Sequence, residues 1–263
     1  VAGDPEVLIV ADPNDELACQ LHEALSRRGH RCAIVDGLSA ARLFTIRVDD
    51  DGAHVFPDIP LFIRASAWSD DKATSEDERF LRAEAFATLW AAAALCKSPV
   101  INRPTPAGSV GRLTISAIAS RMGACTGTAY RELHVSDPAI ALGKIKPPIW
   151  GEDIDFRTRE LSALRANVPA RVRSVTLDGG YETISIVGAR AFAATNDPRT
   201  QRANLLARCI EIVARFDLHF ATVTWMVGDD GAVPVRLNAE PSAAELRTCL
   251  DAVLEGLCQD LHP

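Results

Sequence analysis

No dense run of lysine and arginine occurs in the sequence, and its 28 basic residues are outnumbered by 35 acidic ones, giving a formal charge of −7. Nucleic acid and anionic membranes are normally met by a basic patch, so neither is expected as the main partner. A small or neutral ligand, or a protein, fits better. Long hydrophobic runs are also missing. The longest, roughly residues 86–96, is far short of the ~20 apolar residues that cross a bilayer, and no basic segment leads a hydrophobic one at the amino terminus. The expected location is the cytoplasm.

Paired cysteines are absent too. The seven cysteines, Cys19, Cys32, Cys96, Cys125, Cys209, Cys249 and Cys258, are odd in number, scattered, and form no CxxC pair. That excludes a disulfide framework or a zinc ribbon and leaves buried free thiols as the reading. His22, His30, His54, His134, His219 and His262 stand singly without HxxxH spacing, as surface or packed histidines do. Ser109 and Ser116 lie in no GxSxG elbow, and GSVG at 108–111 lacks the Lys-Ser/Thr ending of a P-loop. GARAFA at 188–193 is no dinucleotide fingerprint.

What is present begins with VLIVA at 7–11, an apolar run of the kind found in a buried parallel strand. DPNDELACQLHEALSRRG then supplies a helix start, an amphipathic helix and a terminating Gly29, and CAIVD at 32–36 is the next strand. Strand, helix, strand implies a right-handed crossover and a parallel sheet. FTIRVDDDGAHVF (44–56) reads as a hairpin turning at Asp-Asp-Gly, LFIRAS (61–66) as a further strand, 75–96 as a helix, and PVINRP (99–104) as a short buried strand. Residues 1–104 are therefore expected to form a parallel α/β domain.

Residues 105–263 read as a second, α+β domain with antiparallel sheet. A loop, TPAGSVG, precedes a helix, RLTISAIASRMG, closed by Gly123, and FRTRELSALRAN (156–167) reads as a short helix. Residues 170–195 divide into three strands, 171–177, 181–187 and 190–195, expected to form one antiparallel meander. NLLARCIEIVARFDL (204–218) has helical spacing, 220–227 and 232–238 form a second hairpin around GDDG, and 243–261 reads as one closing helix.

This order, with the wording of INRP (101–104), IKPP (145–148), YETISIVGARAFAAT (181–195) and LHFATVTWMVGDDGAVPVRLNAEPSAAE (218–245), resembles the ATP-grasp superfamily. The resemblance is strongest to the branch holding glutathione synthetase and the ligases that add glutamate to ribosomal protein or to small coenzymes. It implies ATP and Mg²⁺, phosphorylation of a carboxylate, and attack of an amine on the acyl phosphate. It also implies that Arg112 stands where the family has a nucleotide-contacting Lys, that Lys146 reaches phosphates, and that Arg190 follows a Gly turn on a strand facing the cleft.

The departures are as informative. The family holds Mg²⁺ with Asp, Glu and Asn on the two closing strands, since the ion requires hard oxygen ligands. The matching positions here are Thr224, Arg236 and Asn238, so only Asn238 is retained as a metal ligand. The Gly-rich loop after Lys146 is expected to shrink to PIWGED, the adenine hinge, VRSVTL at 172–177, lacks its acidic residue, and much of the lid is expected to be deleted.

Two readings of these residues stand side by side. Arg236, Asn238 and Glu240 alternate along one strand and share a face; either Arg236 lends phosphates the positive charge that Mg²⁺ usually supplies, or it pairs with Glu240 and fills a vacated site. Lys146 and Arg190 are anion contacts or solvated surface cations. The functional expectation is an ATP-grasp protein with a degenerate Mg-ATP site, acting in small-molecule or coenzyme biosynthesis. The alternative is a noncatalytic homologue that binds an anionic metabolite or serves as subunit to an active ATP-grasp partner or a homodimer.

Overall fold

A computed structural model describes residues 4–64, 75–104, 131–135, 149–152, 158–160, 170–174, 180–193, 204–229 and 231–262. Two units emerge from its internal packing: residues 1–111, 217–220 and 239–263 form the first, and 112–216 and 221–238 the second. The described helices include none long and apolar enough to cross a membrane.

In the first unit the apolar run becomes β1 (Val7–Val10), all four residues fully buried. Asp15 caps α1 (Glu16–Arg27) by accepting from Ala18 N at 3.1 Å, and the helix buries Leu17, Ala18, Leu21 and Leu25. Gly29 ends it with φ +87°, a left-handed conformation that glycine adopts without steric cost, and His30 N donates back to Leu25 O at 3.2 Å. β2 (Cys32–Val35) follows and pairs parallel with β1, as the strand, helix, strand order requires. A short α2 (Gly37–Ala41) then leads into β3 (Thr45–Asp49) and β4 (Gly52–Phe56), the expected hairpin, which forms its own two-stranded sheet. β5 (Leu61–Ile63), α3 (Glu76–Leu95) and β6 (Val100–Ile101) complete a parallel sheet of order β2-β1-β5-β6. Leu8, Val10, Phe44, Val55, Leu61 and Leu89 meet in one core between this sheet, the hairpin and α3.

Two polar side chains fix the turn after α3. Asp58 accepts from Lys97 N (3.1 Å), Ser98 N (2.9 Å) and Cys96 Sγ (2.9 Å). Arg103 donates to the carbonyls of Ala93 (2.7 Å), Cys96 (2.6 Å) and Ser98 (3.0 Å), occupying acceptors that the last helical turn leaves open. The residue between this arginine and β6, Asn102, is 2% exposed. Its Oδ1 accepts from His219 N (2.7 Å) and Phe220 N (2.6 Å), while Nδ2 donates to Phe220 O (2.7 Å) and Ala239 O (3.4 Å).

The closing segment read as one helix is two: α5 (Ala243–Leu246), capped by Ser242, and α6 (Leu250–Leu261), which packs on α1. Between them, Arg247, Thr248 and Cys249 interrupt the helix; Cys249 N bonds Leu246 O at 2.8 Å, a three-residue closure in place of the α-helical one.

The second unit contains two antiparallel arrays. β7 (Arg131–Val135), β8 (Ile149–Glu152), β9 (Thr158–Glu160) and β10 (Ala170–Ser174) form a sheet of order β7-β10-β8-β9. This corrects three expectations. Within PIWGED, Ile149–Glu152 is a strand in place of a shrunken loop, and Thr158–Glu160 is a strand where a helix was read. β10 also leaves the expected meander: it pairs with β7 and β8, whereas β11 (Gly180–Val187) and β12 (Arg190–Ala193) lie in the other sheet. Strand pairing decided each outcome: β9 pairs with the nearby β8, and β10 with β7 and β8, partners that local hydrophobic pattern does not specify. The helix read at 112–123 lies outside the described residues.

The other sheet has the order β12-β11-β13-β14, with β13 (Phe220–Gly228) and β14 (Gly231–Asn238) joined as the expected hairpin and preceded by α4 (Leu205–Arg215). Buried in it, the Cys209 thiol is pushed up to about 12, chiefly by burial, with the hydrogen bond from Trp225 opposing. The Cys96 thiol, buried and facing Asp58, is pushed up to about 11.

Two outcomes are expected. Asn102→Ala strands paired backbone groups in a dry site and should lower unfolding free energy by about 3 kcal/mol, measured by urea denaturation; a loss within error of zero would remove the anchoring role. Because the folded thiol pKa values are raised, the stabilisation from neutral thiols is complete below the unfolded value of about 8.5 and is lost as pH rises toward 11–12. Wild-type protein should therefore lose stability between pH 8 and pH 10 more steeply than Cys209→Ala, and equal slopes would contradict this.

Candidate functional site

Alternation along β11 and β13 gives their sheet two chemically different faces. α4 presents Leu205, Cys209, Ile212 and Val213 to the first, where Ile184, Ile186, Val223 and Trp225 are buried. Trp225 Nε1 donates to Cys209 Sγ at 2.9 Å, and the Arg208 guanidinium lies 4.7 Å from the Trp225 ring centroid, a cation–π contact.

The opposite face is polar. β11 contributes Thr183 and Ser185, and β13 contributes Thr222 and Thr224; Thr183 Oγ1 and Thr224 Oγ1 are hydrogen-bonded at 3.1 Å, which fixes that the two strands share this face. The β13–β14 register sets Thr224 opposite Arg236 and Thr222 opposite Asn238, and the β11–β12 register sets Val187 opposite Arg190. Arg190, Arg236 and Asn238 therefore lie on the same face, all half-buried, whereas Ser185 and Thr222 are each 1% exposed. Directly beside Arg236 the register shifts: Thr224 pairs with Arg236 but Trp225 with Pro234, leaving Val235 as the extra residue of a bulge. Bulges re-aim neighbouring side chains and are common beside functional sites.

The described residues of this face offer cations, hydroxyls and an amide, and no carboxylate. Such a set suits an anion. Arg190 and Arg236 do not address the same anionic group, because their positions differ by four residues along the strands and three strands across, roughly 20 Å between backbones. Arg112 and Lys146 lie outside the described residues.

Among the described residues, Thr224, Arg236 and Asn238 do not make the oxygen set that Mg²⁺ takes. The ion takes about six hard oxygens in an octahedron. Thr224's hydroxyl is hydrogen-bonded to Thr183, Arg236 carries a positive charge that repels a dication, and Asn238 offers one neutral amide oxygen.

Glu240 is placed differently from the sequence reading. β14 ends at Asn238, Ala239 O is engaged by Asn102, and Glu240 belongs to the first unit, where its Oε2 lies 3.2 Å from Arg64 Nη1. Arg64, just past β5, also donates from Nε to Asp15 Oδ2 at 3.2 Å. Its side chain is 7% exposed, and Nη1 is buried without an aligned hydrogen bond although at ion-pair distance. The three residues sit at the carboxyl ends of β1 and β5 and the entry to α1, the edge at which open parallel sheets form crevices. Sequence reading assigned Arg64 no role; an arginine ending an apolar strand was the only available signal.

No family model matches the sequence, and no curated protein matches it. Solved structures do. The ATP-grasp ligase PsnB, complexed with minimal precursor, Mg and ADP, superposes with a TM-score of 0.67 at 17% identity, covering 99% of both chains. The macrocyclase MdnC bound with precursor peptide MdnA from Microcystis aeruginosa gives 0.67 at 12% identity over 98% of this chain and 99% of that one. A RimK domain ATP-grasp protein from Sphaerobacter thermophilus gives 0.57 at 16% identity, again covering 98% and 99%. Likeness of this extent, together with the parallel first sheet and the antiparallel sheets that follow, establishes that the chain has the ATP-grasp fold.

Proposed function

We propose that this chain derives from peptide-acting ATP-grasp ligases and binds an anionic group through Arg236 and Asn238 without a full divalent-metal site, acting in a biosynthetic system whose other partner is a peptide. The observation that carries the reading is the register of the closing hairpin, which sets Arg236 opposite Thr224 on a face where the described residues include no carboxylate. A guanidinium there supplies fixed positive charge to a phosphate or carboxylate by directed hydrogen bonds, which a metal otherwise does by coordination. Asn238 adds an amide that both donates and accepts. Arg190, at the far end of the face, serves a different part of the ligand, and Arg112 and Lys146 are proposed as further phosphate contacts. Peptide as partner rests on the solved relatives: PsnB is described complexed with precursor peptide PsnA2 and MdnC bound with precursor peptide MdnA.

ATP binding by the purified chain should be weak and nearly the same with Mg²⁺ as with EDTA in isothermal titration, and Arg236→Ala should reduce it at least about tenfold, the loss expected on removing one charged hydrogen-bonding group. Thr224→Asp with Arg236→Glu restores two hard carboxylates and should make binding Mg²⁺-dependent. Tight, Mg²⁺-dependent binding with steady phosphate release by the wild-type chain would reject the reading and favour an ordinary ligase. The peptide component has its own check: a synthetic peptide matching a short open reading frame beside the gene should raise the melting temperature. Its failure to do so with every neighbouring peptide would leave only the anion-binding part.

A further inference from the structure

From the geometry we infer a transition-metal site of the first unit, formed by Glu6, His30 and His262, that takes Zn²⁺ or a similar borderline ion and ties the end of α6 to the β1–α1 edge. One ligand atom from each residue lies within 4.8 Å of the other two. The residues come from three places in the chain: Glu6 precedes β1, His30 follows the glycine that ends α1, and His262 is the residue after α6. Two imidazoles and a carboxylate are a donor set that Zn²⁺ accepts, with water completing the tetrahedron.

Three observations point to a cation. The two rings are stacked, with centroids 4.1 Å apart and planes 25° from parallel, and no hydrogen bond commits either ring among the described residues. Both histidines stand at helix C-terminal ends, where unpaired carbonyls concentrate negative potential. The Glu6 carboxylate stands beside both rings, within 4.8 Å of a ring nitrogen of each. Its position is locked: Glu6 N donates to Arg31 O at 2.7 Å, and Arg31 Nε donates to Glu6 Oε1 at 3.1 Å. Binding requires the imidazoles to pass from stacked to convergent, to reach the metal–nitrogen distance of about 2.0–2.1 Å. Arg31 works against the ion, because it shares Glu6 and adds a positive charge.

The test uses the full chain freed of metal with EDTA and then dialysed. Zn²⁺ should bind at one per chain in titration calorimetry and raise the melting temperature, since an ion that binds only the folded state stabilises it. His30→Ala and His262→Ala should each weaken binding at least about tenfold while leaving the metal-free melting temperature near wild type, and Arg31→Ala should tighten it. Co²⁺ reports the ligands independently: visible d–d bands without an intense near-ultraviolet thiolate band are expected. The inference is overturned if Zn²⁺ gives no heat and no thermal shift, if the shift survives both histidine substitutions, or if the Co²⁺ spectrum shows thiolate ligation, which would assign the ion to cysteines.

Discussion

Asn102 saturates its side-chain amide in the dry interior of the first unit, accepting from two backbone N–H groups and donating to two carbonyls. These four groups belong to three residues, His219, Phe220 and Ala239, at which the chain enters β13 and leaves β14. Aspartate lacks the two donors, and glutamine is one methylene too long for the same geometry, so the residue type follows from the backbone groups it serves. The consequence reaches well beyond the anchor. A strand that slips by one residue exchanges its two faces, and the polar face carrying Arg236 and Asn238 exists only because β13 and β14 hold one register. Fixing both ends of the hairpin at one buried amide is a direct means of holding it.

The same hairpin explains the chemistry of the site. Overall the chain is acidic, at −7, yet the described part of this face presents two arginines and no acid. Charge on a protein acts locally when part of the surroundings is dry, as Ser185 and Thr222 are here at 1% exposure each. α4 packs against the other face. The Thr183–Thr224 hydrogen bond spans the two central strands of this face.

The buried Arg64 cluster shows a different use of charge. Two carboxylates, Asp15 and Glu240, flank one guanidinium, and Asp15 simultaneously caps α1. Buried ion pairs add little net stability compared with apolar packing, but loss of one partner leaves an uncompensated charge and is costly. Their effect here is positional: the segment leaving β14 is held at the carboxyl edge of the parallel sheet, beside the first helix of the chain.

Much of this was legible in the sequence because it depends on local period. VLIVA, the amphipathic helix before Gly29 and the two-period strands around GDDG announce their elements, and the ATP-grasp resemblance put Thr224, Arg236 and Asn238 on the closing strands. Pairing partners were not legible. β10 abandoned its sequence neighbour for β7 and β8, and Thr158–Glu160 became a strand because β8 was available to pair with it. Asn102 carries no sequence signal, since its partners lie over a hundred residues away at 219, 220 and 239, and Arg64 meets carboxylates at 15 and 240 that no local pattern joins to it. His30 and His262 likewise stand 232 positions apart in a sequence without metal spacing, and only the packing of α6 on α1 brings their rings to 4.1 Å. Local hydrophobic period sets which elements form, because it is written in adjacent residues; which faces and side chains meet is set by burial and register, which exist only once distant segments have packed.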